Sequence, residues 1–416
     1  MIFMLPLRGA KSSMAKILFL AHRLPIPPNR GDKIRAYHIL THLAARHDVW
    51  LGTCADEAID LADLSAARKM CKDIYCGNLS SLRRGANMLV GAIATVPLSV
   101  ARFHHGGLGR WIDKVLDTVL PDYVYVFSSA MAQYVLGRMK ANARLIVDFV
   151  DADAEKWRQY SAQAAPPMRW LYDAEFRRLV RYDTRVLVAA QAGLVVSETE
   201  RRLLTGFVPE GTRKLQVIAN GVATDFFRPG SVEPAEDKNM IVFTGRMDYA
   251  PNVDAVRWFA RDIFPLVRAS CPDATFVVVG ASPVKRVREL SVIRGVRITG
   301  AVADVRPYLF GASAIVAPLR IARGIQNKVL EGMAAARPLI VTPQALDGID
   351  AHIGRDVLVA TDTESFAARV CDVLLERAPK ELGGAARSFV LAKYQWSEKM
   401  RDIDALMAEP SHVHSP

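Results

Sequence analysis

The chain has 416 residues, of which 51% are hydrophobic and 23% are charged. This composition excludes an intrinsically disordered protein, and the length suggests about two or three domains. With 54 Lys and Arg against 43 Asp and Glu, the formal net charge is +11, which favours anionic partners such as nucleotides, nucleic acid or an anionic membrane. The five scattered cysteines include no CxxC pair, which disfavours a zinc site or a disulfide framework and is typical of a reducing compartment.

Short, continuously apolar runs alternate with longer helical patterns along the chain. Such runs are typical of strands buried on both faces of a parallel sheet, and their alternation with helices predicts βαβ units. Because a second methionine, Met14, stands directly before residues 15–20, which are typical of a buried first strand, we expect residues 1–13 to be an extension outside the fold. The predicted strands are residues 17–21, 49–53, 123–127, 145–149, 194–197, 217–219, 240–244, 275–280, 296–299, 314–317, 339–342 and 357–360.

The turn after the first predicted strand, residues 22–33, is rich in proline and places Gly31 just before a helix. Glycine lets the backbone approach a ligand closely, and a helix start offers N–H groups to a phosphate. The turn contains no GxGxxG, so it does not indicate a nicotinamide or flavin dinucleotide. The alternative is a rigid connection that leads into a capped helix.

The longest apolar stretch, residues 88–100, is too short to cross a bilayer, which takes about 20 residues. Two interpretations stay open: an interfacial element lying on an anionic membrane, or a helix of the core. We keep residues 83–111 as a candidate for peripheral membrane contact because basic residues flank the stretch at Arg83, Arg84, Arg102 and Arg110.

Acidic residues crowd behind the predicted strand at 145–149, where Asp151 and Asp153 form a DxD sequence. In some enzymes this short pattern binds a metal–nucleotide complex, but no second cluster of metal ligands in the sequence supports that role. The side chains follow the carboxyl end of a strand, which is where open α/β sheets bind their ligands. Asp151 and Asp153 are therefore candidate site residues.

Residues 228–239 are rich in proline, glycine and charge, which is typical of a linker. Each half of the chain is about the size of one doubly wound domain. We predict an α/β protein with two Rossmann-like, doubly wound domains facing across a cleft. The first spans residues 14–227 and the second residues 240–390, and a C-terminal helix at 391–409 is expected to pack back on the first domain.

Gly245 and Arg246 follow the predicted strand at 240–244. A planar guanidinium at the carboxyl edge of a sheet suits bidentate phosphate binding. The alternative is a surface arginine paired with Asp248.

Lys328 and Glu331 lie three residues apart near the start of a predicted helix, so they share one helix face. The helix start and Lys328 could hold a pyrophosphate, while Glu331 accepts hydrogen bonds from ribose hydroxyls. The alternative is an ion pair on a solvated helix.

Together these segments resemble the family 4 retaining glycosyltransferases of the GT-B fold, from residue 14 to about residue 407. More narrowly, residues 247–254 and 325–331 resemble sugar transferases of bacterial exopolysaccharide clusters, in particular the group linked to the exosortase (PEP-CTERM) system. The resemblance rests on the glycine loop ending at Gly31, V-I-A-N-G-V at 217–222, Gly245-Arg246, V-V-G at 278–280, K-V-L-E-G-M-A at 328–334 and R-P-L-I-V at 337–341.

The resemblance implies a nucleotide-diphosphate sugar donor held mainly by the second domain, an acceptor held mainly by the first, and no metal or other cofactor. By position, Gly31 would approach the donor phosphates, and Arg246 would neutralise the pyrophosphate with help from Lys328. Glu331 would bind the ribose. The anomeric configuration would be retained, and the main physical requirement is to stabilise the charge of the departing nucleoside diphosphate.

Three positions depart from the family pattern. Arg323 stands where the first glutamate of the family's E-x7-E pair is expected, so the sugar cannot be inferred from the resemblance. Asn252 stands near an expected lysine, whose charge Lys328 or Arg323 would supply. Val150 stands where a histidine is often found, which leaves Asp151 or Asp153 to orient the acceptor hydroxyl.

We therefore expect a cytoplasmic glycosyltransferase of the hexosyltransferase type, peripheral on the inner face of the cell membrane. It would act on a polyprenyl-linked saccharide in exopolysaccharide or cell-envelope biosynthesis, and no motif indicates a nucleic-acid partner. Two alternatives stay open: a nucleotide-sugar epimerase of the GT-B fold, and a catalytically inactive nucleotide-sugar-binding scaffold, which the altered E-x7-E pair suggests.

Overall fold

The computed structural model describes residues 14–28, 31–55, 61–140, 142–235, 237, 239–322 and 324–408. Residues 1–13, predicted to be an extension, and the candidate site residue Arg323 lie outside the described residues.

The described chain forms two compact units. The first contains residues 14–195 and 203–216, and the second contains residues 196–202 and 217–408. Residues 228–239, predicted to be a linker, are counted in the second unit, where the N–H of Ala235 donates to the carbonyl of Pro307 at 2.9 Å. The predicted domain boundaries, the cleft and the packing of the C-terminal helix stay predictions.

The first sheet has seven strands among the described residues, in the order β3-β2-β1-β4-β5-β6-β7. The pairings from β3 through β6 are parallel. The strands are β1 (Lys16–Ala21), β2 (Asp48–Ala55), β3 (Asp73–Asn78), β4 (Tyr123–Phe127), β5 (Arg144–Val150), β6 (Ala192–Val195) and β7 (Leu215–Val217). The helices that accompany them are α1 (Gly31–Ala44), α2 (Leu61–Met70), α3 (Ser81–Ile93), α4 (Leu98–Ala101), α5 (Gly106–Thr118), α6 (Asp153–Gln163), α7 (Met168–Ala189) and α8 (Glu198–Phe207).

The second sheet has six strands among the described residues, all parallel, in the order β10-β9-β8-β11-β12-β13. The strands are β8 (Met240–Thr244), β9 (Thr275–Val279), β10 (Val296–Gly300), β11 (Ala314–Ala317), β12 (Leu339–Val341) and β13 (Leu358–Val359). The helices are α9 (Ala250–Trp258), α10 (Phe264–Ser270), α11 (Lys285–Arg288), α12 (Arg306–Gly311), α13 (Asn327–Ala334), α14 (Pro343–Leu346), α15 (Thr363–Leu374), α16 (Leu382–Lys393) and α17 (Trp396–Ala408).

The prediction of two Rossmann-like domains is confirmed, because in each sheet the strand order reverses beside the first strand, as doubly wound folds require. The sequence analysis missed β3, residues 73–78. Among the described residues this strand lies at the edge of its sheet and pairs with β2 alone, and five of its six residues are not fully buried. It therefore lacks the continuous apolar run that is typical of central strands.

The apolar stretch at residues 88–100 divides between two helices. Leu89, Val90 and Ile93 in α3 are 66%, 64% and 79% exposed, whereas Val100 in α4 is buried. None of the described helices is both long and apolar enough to cross a membrane.

Candidate functional site

Two glycines lie at the carboxyl ends of β8 and β9 and bring the backbones of the two turns together. Gly245 and Gly280 have φ angles of +151° and +157°, which side chains rarely allow. A Cβ atom on Gly280 would lie 1.7 Å from the carbonyl oxygen of Gly245. The N–H of Gly245 donates to the carbonyl of Val279 at 3.0 Å. Only glycine fits at Gly280, and the turn that carries Arg246 is fixed against the end of β9.

Lys328 reaches this turn from α13. Its Nζ donates to Asn252 Oδ1 at 2.5 Å and lies 4.3 Å from the centre of the Phe243 ring. Asn252 in turn donates from Nδ2 to the carbonyl of Arg246 at 2.8 Å. A Cβ atom on Gly245 would lie 3.0 Å from Lys328 Nζ. Asn252, which stands near the lysine position of the resembled family, therefore holds the Lys328 ammonium against the bare backbone of Gly245.

Burial changes the proton affinity of Lys328 and Glu331. It lowers the pKa of Lys328 to about 7, against the opposing effect of Glu331. It also raises the pKa of Glu331 to about 7, against the opposing effect of Lys328. No ion pair among the described residues joins the two side chains directly. Their surroundings are therefore unlike those of a solvated i,i+3 pair, and an anionic ligand would stabilise the charged form of Lys328.

The start of α13 carries no side-chain cap at Gln326, whose Nε2 instead donates to the carbonyl of Gly324 at 3.2 Å. Asn220 of the N-G-V turn donates from Nδ2 to Asn327 Oδ1 at 3.2 Å, which joins that turn to the helix start. An uncapped helix start directs N–H groups outward and favours an anion. Phosphate binding beside Lys328 is compatible with this geometry.

Arg246 forms a bidentate ion pair with Asp248, with Nε to Oδ1 at 3.1 Å and Nη2 to Oδ2 at 2.7 Å. This is the alternative that the sequence analysis left open for Arg246. The arginine side chain is 32% exposed, so an anionic ligand that reached it would have to compete with Asp248 for the same N–H groups.

A cavity of about 330 Å³ lies in the first unit, at the carboxyl ends of β4 and β5. Asp151 and Asp153 both line it, so the structure brings the two candidate residues of the DxD sequence to one cavity. Among the described residues, no third His, Cys, Asp or Glu joins them in a group that could hold a metal ion. The wall also contains aromatic rings and cations, among them Phe103, Trp157, Arg102 and Lys156.

Two non-glycine residues with left-handed backbone also line this cavity. Ser128 follows β4 with a φ of +74°, and Val150 ends β5 with a φ of +67°. This conformation is costly for a β-branched residue and persists only where the surroundings hold it. Asp148 supplies the restraint: its carbonyl accepts from the N–H of Ser128 at 2.8 Å, and its Oδ1 accepts from the N–H of Val150 at 3.1 Å.

Asp148 belongs to a buried charged network that the sequence analysis missed. Its Oδ2 accepts from Arg35 Nε at 2.8 Å and from the Tyr125 hydroxyl at 3.0 Å, and all three side chains are at most 1% exposed. Although burial opposes it, Asp148 holds the pKa of Arg35 above its usual value. The signal in the sequence was an aspartate inside an otherwise apolar strand run. The network ties α1, which begins at Gly31, to the strands below the cavity.

The remaining candidate, Gly31, is the first residue of α1, and its backbone is exposed. Gly31, Asp151 and Asp153 belong to the first unit, whereas Arg246, Asn252, Lys328 and Glu331 belong to the second. The candidate residues are therefore divided between the two units.

Asp183 in α7 is a second buried carboxyl group that the sequence analysis missed. Its side chain is buried, and its Oδ1 has no hydrogen-bond partner among the described residues. Burial raises the pKa of Asp183 to about 8; a hydrogen bond with Ser129 opposes this rise and the nearby Asp153 adds to it. The group is therefore protonated at neutral pH in the folded protein.

We expect Asp183→Asn to stabilise the protein increasingly as the pH rises. Unfolded aspartate ionises near pH 4, whereas folded Asp183 keeps its proton to about pH 8, so the folded wild type loses stability between these values. The variant has no such proton to lose, and its Tm should exceed that of the wild type by a margin that reaches several °C at about pH 8. Thermal unfolding followed by circular dichroism measures the margin. The exposed Asp113→Asn is the control, and a margin that does not grow with pH would contradict the assignment.

Comparisons with known proteins bear on the second unit and on the fold. Residues 238–376 match the family described as Glycosyl transferases group 1. A search of curated protein sequences finds no match.

Solved structures resemble the chain over nearly its whole length. HepE of Anabaena, solved with UDP-glucose, is 12% identical, with 95% of this chain and 99% of that chain covered and a TM-score of 0.67. Sucrose-phosphate synthase of Thermosynechococcus elongatus is 16% identical (94% and 98% covered, TM-score 0.68). WaaG, a glycosyltransferase involved in lipopolysaccharide biosynthesis, is 14% identical (94% and 100% covered, TM-score 0.63). The chain has the GT-B fold, and residues 238–376, in its second unit, are similar to the Glycosyl transferases group 1 family.

Proposed function

We propose that this protein is a retaining glycosyltransferase that moves a sugar from a nucleotide-diphosphate sugar to a lipid-linked saccharide in exopolysaccharide or cell-envelope biosynthesis. One observation carries the proposal: Asn252 holds the Lys328 ammonium against the backbone of Gly245, beside the uncapped start of α13. A cation, a bare backbone and a helix start at the carboxyl edge of a parallel sheet suit a pyrophosphate.

The donor would bind in the second unit. Lys328 and the first N–H groups of α13 would hold the pyrophosphate, and Arg246 would join them by exchanging Asp248 for a phosphate oxygen. Glu331, one turn further along α13, would accept hydrogen bonds from the ribose. The UDP-glucose bound to HepE supports this donor class. Neither the base nor the sugar is assigned, because Arg323 replaces the residue expected to contact the sugar.

The acceptor would bind in the cavity of the first unit. Asp151 or Asp153 would orient the attacking hydroxyl, and Trp157 and Phe103 offer apolar surface to the saccharide. Retention by front-face attack would place the hydroxyl on the same side as the leaving phosphate, so that its proton passes to a phosphate oxygen as the bond breaks. The required charge stabilisation would come from Lys328 and the helix start, without a metal.

A position on the inner face of the cell membrane would give the enzyme a lipid-linked acceptor. Helix α3 exposes Leu89, Val90 and Ile93 beside Arg83 and Arg84, which suits an anionic membrane surface. The same helix contributes Met88 to the wall of the acceptor cavity. The resemblance to WaaG, which acts in lipopolysaccharide biosynthesis, supports a cell-envelope acceptor.

Donor binding is tested by a thermal-shift screen of nucleoside diphosphates and their sugars. A ligand present at 100 times its Kd stabilises the folded state by about 2.7 kcal/mol, so at least one of them should raise the Tm by several °C. The shift should shrink in Arg246→Ala and in Glu331→Ala, and it should persist in Lys285→Ala, which removes an exposed cation elsewhere in the second unit. Absence of any shift across the screen would contradict the proposal.

Product analysis separates transfer from the two alternatives. Transfer to a saccharide acceptor with retained configuration supports the proposal. An epimerised sugar formed from the donor alone would identify an epimerase, and donor binding without hydrolysis or transfer would identify an inactive scaffold.

A further inference from the structure

The tip of the α6–α7 hairpin is exposed and largely apolar. Residues 162–171 read A-Q-A-A-P-P-M-R-W-L and carry a single charged residue, Arg169. Nine of these ten residues are exposed, and the indole of Trp170 is 67% exposed. Met168 and Leu171 beside it are exposed as well. Contiguous exposed apolar side chains of this kind are a candidate interaction site.

The helices below the tip present a positive surface. Asp173 pairs with Arg177, and Arg158 pairs with Glu155. Glu175 and Asp183 are buried, so they do not neutralise the surface. The cations between residues 156 and 185 that form no ion pair with a carboxylate in the described structure are Lys156, Arg169, Arg178, Arg181 and Arg185. The excess of positive charge on these two helices is complementary to anionic lipid headgroups.

Three aromatic rings brace the hairpin near its tip. The centroid of Trp157 lies 6.0 Å from that of Tyr160 and 5.8 Å from that of Tyr172, and the two tyrosines are 5.7 Å apart. These contacts join α6 to α7, so the two helices are packed together next to the exposed tip. An exposed tryptophan and an exposed methionine on either side of an exposed arginine, Arg169, are typical of proteins that lie in the headgroup region of a bilayer.

The hairpin is also part of the acceptor cavity. Lys156 and Trp157 of α6 line it. Glu175 of α7 accepts from the N–H groups of Leu98 and Ser99 at 2.8 and 3.0 Å, and both of those residues line the cavity too. The cavity therefore lies between α3, which contributes Met88, and the α6–α7 hairpin. Both elements expose apolar side chains beside arginines.

We propose that residues 162–171 insert into the interface of an anionic lipid bilayer, and that this tip and α3 together hold the cavity of the first unit at the membrane surface. The role of the cavity in acceptor binding rests on the proposed function. The membrane contact itself needs neither donor nor acceptor, so it is tested without them.

The test is co-sedimentation of the full chain with vesicles of phosphatidylcholine, with and without phosphatidylglycerol. We expect binding to the anionic vesicles that weakens with added salt, and a loss of about tenfold or more in the partition coefficient for the double variant Trp170→Ser, Leu171→Ser. Val292→Ser, which removes an apolar side chain that is 87% exposed in the second unit, is the matched control and should bind as the wild type does. Unchanged binding of the double variant would overturn the proposal.

Further measurements test whether a loss of vesicle binding has another cause, namely misfolding of the double variant or contact between two copies of the chain. Arg169→Glu changes only an exposed side chain and should weaken binding to anionic vesicles severalfold; unaltered binding would count against the proposal. The chain has six tryptophans, so insertion is read as a blue shift of emission on adding vesicles that is smaller in Trp170→Phe than in the wild type. If the double variant instead changes the mass in sedimentation velocity without vesicles, the tip is an interface between copies, and the proposal is overturned.

The outcomes also separate this inference from the proposed function. Failure of sugar transfer with intact, tip-dependent vesicle binding would contradict the function and support the membrane contact. If the wild type transfers sugar to a soluble saccharide but does not bind vesicles, the result would support glycosyl transfer and contradict the membrane contact.

Discussion

Lys328→Ala is expected to lower kcat/KM for sugar transfer by about 10²–10³-fold, the usual cost of removing one group that stabilises developing charge. The Nζ of Lys328 lies against the backbone of Gly245 and is held there by Asn252, where the pyrophosphate would gain charge as it leaves. Initial rates of nucleoside diphosphate release, with the donor found in the thermal-shift screen, measure the effect. Lys285→Ala is the control cation, and a change of less than about threefold in Lys328→Ala would contradict the assignment.

The pH dependence of donor binding gives a second readout of the same side chain. Because burial lowers the pKa of Lys328 to about 7, the ammonium of the free enzyme loses its proton as the pH rises through that value, and donor affinity should fall. Glu331 changes charge in the same range, since burial raises its pKa to about 7. Calorimetry on Glu331→Gln and on Glu331→Gln, Lys328→Met isolates the lysine: the fall should be present in the first and absent in the second.

Asn252 shows what the sequence could and could not predict about this site. The order and spacing of Gly245, Arg246, Lys328 and Glu331 are enough to propose a site for a pyrophosphate and its ribose, because the first two follow a strand end and the last two share one face of a helix. The contact between Asn252 and Lys328 joins residues 76 positions apart, and no local pattern encodes that pairing. Arg246 and Asp248 are two residues apart, so both of their interpretations were visible, and the choice between them depended on the folded geometry.

The need for local patterns also explains which strands the sequence predicts and which it does not. Central strands such as β1 and β8 are buried on both faces and produce apolar runs that the sequence shows directly. The edge strand β3 does not. Arg35 and Asp148 were missed for a related reason. The predicted strand at 145–149 includes Asp148, but its partner Arg35 lies 113 residues away in α1, so no local pattern shows that the two charges neutralise each other within the core.

Asp148→Ala is expected to destabilise the first unit by about 3–5 kcal/mol, the cost of leaving one partner of a buried ion pair uncompensated. Arg35 would stay buried without its carboxylate, and the Tyr125 hydroxyl would lose its acceptor. The N–H of Val150 would also lose the bond that restrains its left-handed backbone. Chemical denaturation followed by circular dichroism measures the change in the free energy of unfolding.

Two further variants show whether the uncompensated charge is the cause. Arg35→Met combined with Asp148→Ala removes both charges and should recover part of the lost stability, because an apolar replacement of a buried pair is often tolerated. Asp113→Ala breaks an exposed pair with Arg138 and should cost at most about 1 kcal/mol. If the double variant is as unstable as the sum of its two single variants, then Arg35 and Asp148 stabilise the fold independently. In that case the network does not act as one unit in restraining Val150 at the cavity of the first unit.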